Sequence, residues 1–482
     1  MKEGQFNVLL LTIDCLRYDR CGINGYHRNT TPQIDQLGAE SVVFDRAYST
    51  GSWTPESFPG ILAGLHSHNS SYYTTPNLKA IPPKQKTIAS EISEHGYDTF
   101  AKISNPHLTE DRNYDIGFDH FTNIRDEQSS KEFRESKESS GILDNVGGSL
   151  WELKEKMQSR STLPKYSLSS LGFSAYRYYQ KKSGWPTIKG EDVVDELIDS
   201  ISTAENPFFG WGHFMDLHAP LNPNTVTEGG LFSGSYFDQF SHDAKRASNI
   251  FSPGYEAMYD SALRYVDAQV SRLIEELKQQ GVWENTVVIL TADHGEALHE
   301  RGVYGHLSLG EEFVHGEGRH YLYDELLHVP LIVRIPDNNH RRNNSPFSLG
   351  WLHELLGEIA GVDLGEFPYS SEQESHLSEA LSTDTPVVSD TLSESGHTVA
   401  VQDSDKKLWK MTHSKAGYED TGIAFRLMSD GSERIEIDPE SVDRQFHKLI
   451  SEHSSSPNSL RSVEGEISSE TDDLLKQLGY KT

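Results

Sequence analysis

Apolar positions in this chain fall into two kinds of run. Residues 7–13, "NVLLLTI", are almost continuously apolar and stop at Asp14. A run without a polar face predicts a strand buried on both sides, as in a parallel sheet, delivering a polar residue at its carboxyl end. "DTFAKIS" (98–104), "NPFFGWGHFMD" (206–216), "NTVVILTADHG" (285–295) and "HVPLIVRIP" (328–336) read as further strands, the last closed by proline. The second kind of run steps by three or four. "YEAMYDSALRYVDAQVSRLIEELKQQG" (255–281) predicts a long amphipathic helix stopped at Gly281. "KTIASEISEHGY" (86–97) predicts a helix ended by Gly96, and "FPGILAGL" (58–65) a shorter one. Strand and helix alternate over most of the chain, which predicts an α/β fold with a mostly parallel sheet. Ligands of such sheets bind beyond the carboxyl ends of the strands.

Two stretches break the pattern. Residues 122–190 turn rich in Ser, Lys and Glu and are expected to form a surface insertion or lid. From 366 the composition shifts to Ser and Glu, after which "HTVAVQD", "KKLWKMTHS", "AFRLMSD" and "ERIEIDP" alternate like short antiparallel strands. The expected organisation is a main domain over 1–365, a small C-terminal antiparallel β subdomain over 366–445, and a polar tail over 446–482.

Charge narrows the partners. Of 482 residues, 43 are Lys or Arg and 73 are Asp or Glu, a net charge of −30. Nucleic acid and anionic membrane surfaces both require a positive counter-surface, so neither is expected as a partner. Cys15 and Cys21 supply no disulfide framework. No apolar run approaches the length of a transmembrane segment and no secretory leader is evident, so the expected location is cytoplasmic.

Candidate chemistry gathers at strand ends. Asp14 and the pair Asp293-His294 each follow a buried strand and could reach one divalent cation, with calcium, magnesium, manganese and zinc all open. In "GSWTPESFPGILAGL" Thr54 stands ahead of an apolar helix, where a hydroxyl either caps the helix or meets an anion. His213 and His218, with Asp216 between them, suit a proton donor or an oxyanion partner. Taken singly, each has a structural explanation: an acidic turn, a helix cap, a core histidine.

The ordered set "NVLLLTID", "GSWTPESFPGILAGL", "HGYDTFAKISN", "GFDHF", "PFFGWGHFMDLHAP", "YDSALRYVDAQVSRLIEEL", "NTVVILTADHGE" and "YDELLHVPLIV" resembles sulfatases of the alkaline phosphatase superfamily. The resemblance runs from about residue 7 to 363 and includes "LGWLHELLGEIAGV". It implies an alkaline phosphatase-like three-layer sandwich and a divalent metal ion held by Asp14, Thr54, Asp293 and His294. It puts Thr54 at the nucleophile and His218 at a catalytic histidine. Asn105, His213, Arg319 and His320 become substrate-binding candidates.

Three departures qualify the likeness. Sulfatases carry Cys-x-Pro-Ser-Arg at the nucleophile, where this chain has Thr54-Pro55-Glu56-Ser57-Phe58, so no residue can become formylglycine. Cys15 replaces a second Asp. Ser104, Asn105 and Pro106 do not match a Lys and a His. A Thr nucleophile resembles the phosphoethanolamine transferases and lipoteichoic acid synthases of the same superfamily. The expectation is an enzyme hydrolysing or transferring a sulfate or phosphate ester of a small molecule or glycan. The alternatives are a phosphodiester-directed enzyme of surface glycans or lipids, and a metal-binding member without catalysis.

Overall fold

The computed structural model describes residues 6–73, 75–124, 187–205, 207–306, 322–336, 340–362, 385–393, 396–412, 422–428, 433–456 and 459–462. Most of the expected 122–190 insertion lies outside them.

Among the described residues the main sheet has nine strands. Eight run in the order Arg341–Asn343, Val42–Tyr48, His328–Arg334, Thr286–Thr291, Asn7–Ile13, Phe208–Phe214, Asp98–Ile103 and His120–Asn123. Phe347–Ser348 pairs with Val42–Tyr48 beside this path. The Asn7–Ile13 strand lies deep in the sheet, parallel to Phe208–Phe214 on one side and Thr286–Thr291 on the other. All seven of its residues are buried, as its unbroken apolar run requires.

His328–Arg334 is a strand, but it runs antiparallel to both neighbours. The sheet is therefore mostly parallel with one reversed strand. Val42–Tyr48, "VVFDRAY", carries an acid and a base inside a buried strand, which hides it from a reading based on apolar runs. Both charges have partners: the Tyr18 hydroxyl donates to Asp45 at 3.2 Å, Arg342 pairs with Asp45, and Arg46 donates to the Ser404 carbonyl.

Two helix groups make the outer layers. Pro32–Gly38, Gly190–Thr203 and Pro223–Gly229 pack with the long Pro253–Gln279 helix, whereas Thr54–Ala63, Ile88–Glu94 and Leu352–Ala360 pack with one another. Gly212 makes room for this packing. A Cβ there would stand 2.7 Å from Leu197 Cδ1 of the Gly190–Thr203 helix, so a larger residue would force that side chain out of its place.

A second sheet of five antiparallel strands follows: Val387–Ser393, Gly396–Gln402, Lys406–Thr412, Ile423–Leu427 and Glu433–Ile437. The Arg444–His453 helix sets Phe446 and Ile450 against Val399, Val401 and Leu408. Ala400, Trp409 and Phe425 pack instead with Tyr48 and Leu327 of the main domain. The junction is hydrogen-bonded beside the start of the Thr54–Ala63 helix. Asp390 N donates to the Thr50 carbonyl at 2.8 Å, the Ser389 hydroxyl to the Ser49 carbonyl at 2.6 Å, and the Thr391 hydroxyl to Glu56 Oε1 at 2.6 Å. Among the described residues no helix is long and apolar enough to cross a membrane.

Asp216, in the turn leading to His218, gives a stability prediction. Its Oδ1 accepts the Gly190 N–H at 3.2 Å, while Oδ2 is buried with no hydrogen-bond partner. Burial pushes the carboxyl up to about 7. The raised value means that stability is fully present below the unfolded pKa near 4 and is lost as pH rises toward 7. Asp216→Asn keeps the acceptor and removes the titration. The variant should match the parent near pH 4–5 and exceed it by about 1–3 kcal/mol at pH 8. Denaturant titrations at the two pH values check this; equal differences at both would refute it.

Candidate active site

Every residue of the site is brought to one edge of the sheet by strand direction. Asn7–Ile13 delivers Asp14, Asp98–Ile103 leads to Asn105, Phe208–Phe214 carries His213 and leads to His218, and Thr286–Thr291 leads to Asp293 and His294. These four strands are parallel, so their carboxyl ends share an edge. Val42–Tyr48 ends in the loop that brings Thr54 to the same place.

The Thr54–Ala63 helix begins at Thr54 itself, four residues earlier than its apolar run suggests. Pro55 at the second helical position is tolerated because its missing N–H would have no helical acceptor. The N-cap is Trp53, with no side-chain capping bond. The Thr54 hydroxyl is therefore not spent on the helix end. It donates to Asp293 Oδ2 at 2.9 Å, with Asp14 Oδ2 and His294 Nε2 each 3.3 Å away.

That arrangement is short of positive charge. One hydroxyl proton serves two carboxylates and an imidazole nitrogen. His294 Nδ1 lies 2.8 Å from the Gly295 carbonyl, so Nδ1 carries the proton and Nε2 turns a lone pair inward. Ligand atoms of Asp14, Asp293 and His294 all lie within 4.8 Å of one another, and all three residues are buried. Two carboxylates, a hydroxyl and an imidazole lone pair fit a divalent cation. Burial and the nearby Asp14 charge raise the Asp293 carboxyl. For Asp14 burial also acts upward, but the lowering led by the His213 hydrogen bond outweighs it and holds the carboxyl well below the usual range.

Asn105 closes the other side. Its Oδ1 accepts the His107 N–H at 2.8 Å, which fixes the amide orientation and points Nδ2 at Asp14 Oδ2, 2.9 Å away, and Thr54 Oγ1, 3.4 Å away. His213 Nε2 stands 3.4 Å from Asp14 Oδ2. His218 is buried and faces the His306 ring at 5.1 Å between centroids. Asp14, Thr54, Asn105, His213, Asp293 and His294 are thus in contact, with His218 one ring further out. Arg319 and His320 lie outside the described residues.

The apolar pattern gives no sign of Glu296 and His306. Tyr304–Gly305 pairs with Ala297–Leu298 in a two-stranded ribbon and returns His306 over His294, 4.4 Å between ring centroids. Glu296 Oε2 lies 2.5 Å from His306 Nδ1. Burial lowers the imidazole, yet the Glu296 charge and hydrogen bond outweigh it and raise its pKa. Burial instead pushes His218 down to about 4. The Cys15 thiol donates to Asp14 Oδ1 at 2.9 Å. The only sequence signal for the dyad is a second acid and a second histidine close behind Asp293-His294.

The sequence model of the sulfatases matches residues 6–357. The chain belongs to the sulfatase family. Among curated relatives, this family member is 25% identical to an arylsulfatase of Clostridium perfringens over 324 residues, 61% of this chain and 63% of that protein. It is 23% identical to human iduronate 2-sulfatase over 368 residues, 68% and 60% of the two chains. The matched region thus spans about three fifths of those relatives. Solved structures share the fold. Ps i-CgsB in complex with k-i-k-neocarrahexaose superimposes with a TM-score of 0.60 at 16% identity, covering 98% of this chain and 97% of that one. The phosphonate monoester hydrolase of Agrobacterium radiobacter gives 0.58 at 16% identity, covering 93% and 94%. The sulfatase-family chain therefore has the alkaline phosphatase-like layers expected of it, with a mostly parallel sheet and a separate antiparallel one.

Proposed function

We propose that this chain is a metal-dependent enzyme that hydrolyses or transfers a sulfate or phosphate ester, with Thr54 as nucleophile. The observation that carries the reading is the Thr54 hydroxyl, released from capping and set 2.9 Å from Asp293 at the start of a buried helix. Asp14, Asp293, His294 and the Thr54 oxygen would hold the ion, whose chemistry is to lower the hydroxyl pKa and offset the charge of the ester.

The chain's own groups divide the remaining work. Thr54 Oγ1 attacks the sulfur or phosphorus, its proton passes to a neighbouring acceptor, and the bond to the departing alcohol breaks. Water or an acceptor alcohol then clears the threonine ester. The Asn105 amide, which donates to Asp14 Oδ2 beside Thr54 Oγ1, is close enough to turn a donor toward the ester oxygens. His218 is neutral near pH 7 and binds the ester by hydrogen bonding. His306, backed by Glu296, keeps its proton more readily and is the group suited to protonate the leaving alcohol. His306→Gln should lower turnover by about 10²–10⁴-fold at unchanged metal content. Full activity of that variant would remove His306 from the reaction.

A second reading draws on Thr54 itself. Without a residue that can become formylglycine, a phosphodiester or phosphate monoester suits the site as well as a sulfate ester does. Rates on matched aryl sulfates, phosphate monoesters and phosphodiesters decide between them. A preference above about 10²-fold for one class assigns the substrate; inactivity on all three, with metal bound, would leave a non-catalytic metal protein.

A further inference from the structure

The Tyr236–Ala247 helix ends beside the candidate site. A capping box at Ser235 starts it, and Asn249, at a φ of 53°, turns the chain after its end. Asn249 ties that turn to the return ribbon. Its Nδ2 donates to the Gly302 carbonyl at 2.9 Å, and its Oδ1 accepts the Tyr304 N–H at 3.1 Å. These bonds hold the last helical turn, which carries Lys245 and Arg246, against the segment that returns His306 to the site.

Either base would suit the negative end of a helix, and the exposed Lys245 serves that purpose. Arg246 turns inward. Its side chain keeps 18% of its surface and lies over the buried Tyr255 ring, 5.5 Å from Cζ to the centroid. Among the described residues its guanidinium has one ion-pair partner, Glu296 Oε1, 3.8 Å from Nη2 and too far for a hydrogen bond. Its Nε is buried without a partner, and so is Glu296 Oε1. Arg17 also reaches Glu296, donating to its carbonyl at 3.0 Å, but Arg17 is paired with Asp19 and Glu300. A guanidinium offers five N–H donors in a fixed fork, and those of Arg246 are available to an anionic ligand.

The position of Arg246 decides which part of a substrate it meets. Glu296 Oε2 is engaged by His306 Nδ1 at 2.5 Å, while Oε1 faces Arg246, so one carboxylate separates the two side chains. His306 is the group placed to protonate the departing alcohol. The polar partners of Thr54 Oγ1 are Asp14, Asp293, His294 and Asn105, and include neither Glu296 nor Arg246. The guanidinium therefore stands on the alcohol's side of the site and not over the attacking oxygen. Aromatic rings lead from it to solvent. Tyr255 meets Tyr304 at 5.5 Å between centroids, Tyr304 meets His299 at 4.9 Å, and His299 meets Phe251, which is 60% exposed, at 5.5 Å.

We propose that Arg246 binds a second negative charge of the substrate, carried by the departing alcohol, so that the ester acted on is that of an acidic alcohol. A carboxylated sugar, or one bearing a further sulfate or phosphate, has this chemistry, and the arginine fork accepts the oxygens of all three groups. The inference rests on the ester reading above and on the place of His306 in it.

The test uses phenyl and carboxyphenyl esters, as sulfates and as phosphates, with the carboxylate meta or para. The metal-loaded full chain should prefer a carboxyphenyl ester. Arg246→Met should reduce kcat/KM on that ester by roughly 10–100-fold more than on the phenyl ester. Taking the ratio between variants cancels the effect of the carboxylate on the leaving group. Arg246→Lys keeps the charge and loses the fork, so its preference should fall by about 3–10-fold; it supplies the reading if the methionine variant folds poorly. Equal losses on both esters, or none on either, would overturn the subsite and leave Arg246 as a support for Glu296. Calorimetry of the Thr54→Ala chain with the same esters reads the preference without turnover. Tighter binding of the carboxyphenyl ester there, removed by adding Arg246→Met, would keep the subsite even if Thr54 is not the nucleophile. Turnover in the parent without any such preference would keep the reaction and remove the subsite.

Discussion

Thr54→Ala should abolish turnover while the Tm stays within a few degrees of the parent. The two possible duties of this hydroxyl predict opposite balances. A capping threonine is worth about 1 kcal/mol of stability, and serine serves nearly as well. A nucleophile is worth most of the catalytic rate, with little change in stability. The geometry favours the second: Thr54 is already inside the helix, its N-cap is Trp53 without a side-chain capping bond, and its hydroxyl points at Asp293. Removing the hydroxyl takes one donor from Asp293, so the stability loss is expected to stay near that of a single hydrogen bond, about 1 kcal/mol. Thr54→Ser should keep part of the activity, because the attacking oxygen remains while the packing of the methyl group is lost. Mass spectrometry of enzyme quenched during turnover should place a sulfate or phosphate on the peptide containing Thr54. An alanine variant with full activity would exclude the nucleophile.

Asp293→Asn should cost the chain its catalytic ion and at least about 10³-fold in turnover. Asp293 is fully buried, accepts the Thr54 hydroxyl at 2.9 Å, and stands 3.4 Å from His294 Nε2. The amide keeps the size and one acceptor but removes the charge that a dication needs. Without an ion the variant should be at least as stable as the parent, because burial and the Asp14 charge already penalise the Asp293 carboxylate. The ion reverses that order, so metal should raise the Tm of the parent far more than that of Asp293→Asn. Elemental analysis and thermal melts with and without added metal check both halves. Unchanged metal content and unchanged turnover would mean that Asp14, Asp293 and His294 are a structural cluster.

The parts of the molecule legible in the sequence are those where one physical demand acts alone. "NVLLLTI" and "TVVILT" sit between layers, need apolar residues on both faces, and read directly as strands. Asp14 and Asp293 could be paired because parallel strands share a carboxyl edge. Val42–Tyr48 was hidden because its charges are satisfied by residues distant in sequence, Arg342 and the Ser404 carbonyl. The reversal of His328–Arg334 leaves no mark in its composition, since a strand buried on both faces reads the same in either direction. His306 is out of reach for another reason. It matters through a return ribbon that no apolar spacing announces. The fit of Asn105 beside Asp14 rests on an amide orientation set by the His107 N–H, a detail that only coordinates supply.

The hydrogen bond between Thr391 and Glu56 has a consequence for how the polypeptide can be divided. Glu56 lies two residues beyond Thr54, is 1% exposed, and takes the Thr391 hydroxyl from the second sheet. Ser49, Thr50 and Ser67 are bonded to the same strand. A fragment ending near residue 365 would lose all of these bonds and uncover the Glu56 carboxylate, two residues from Thr54. The two sheets are therefore expected to fold as one unit, with the smaller one bracing the loop that carries Thr54.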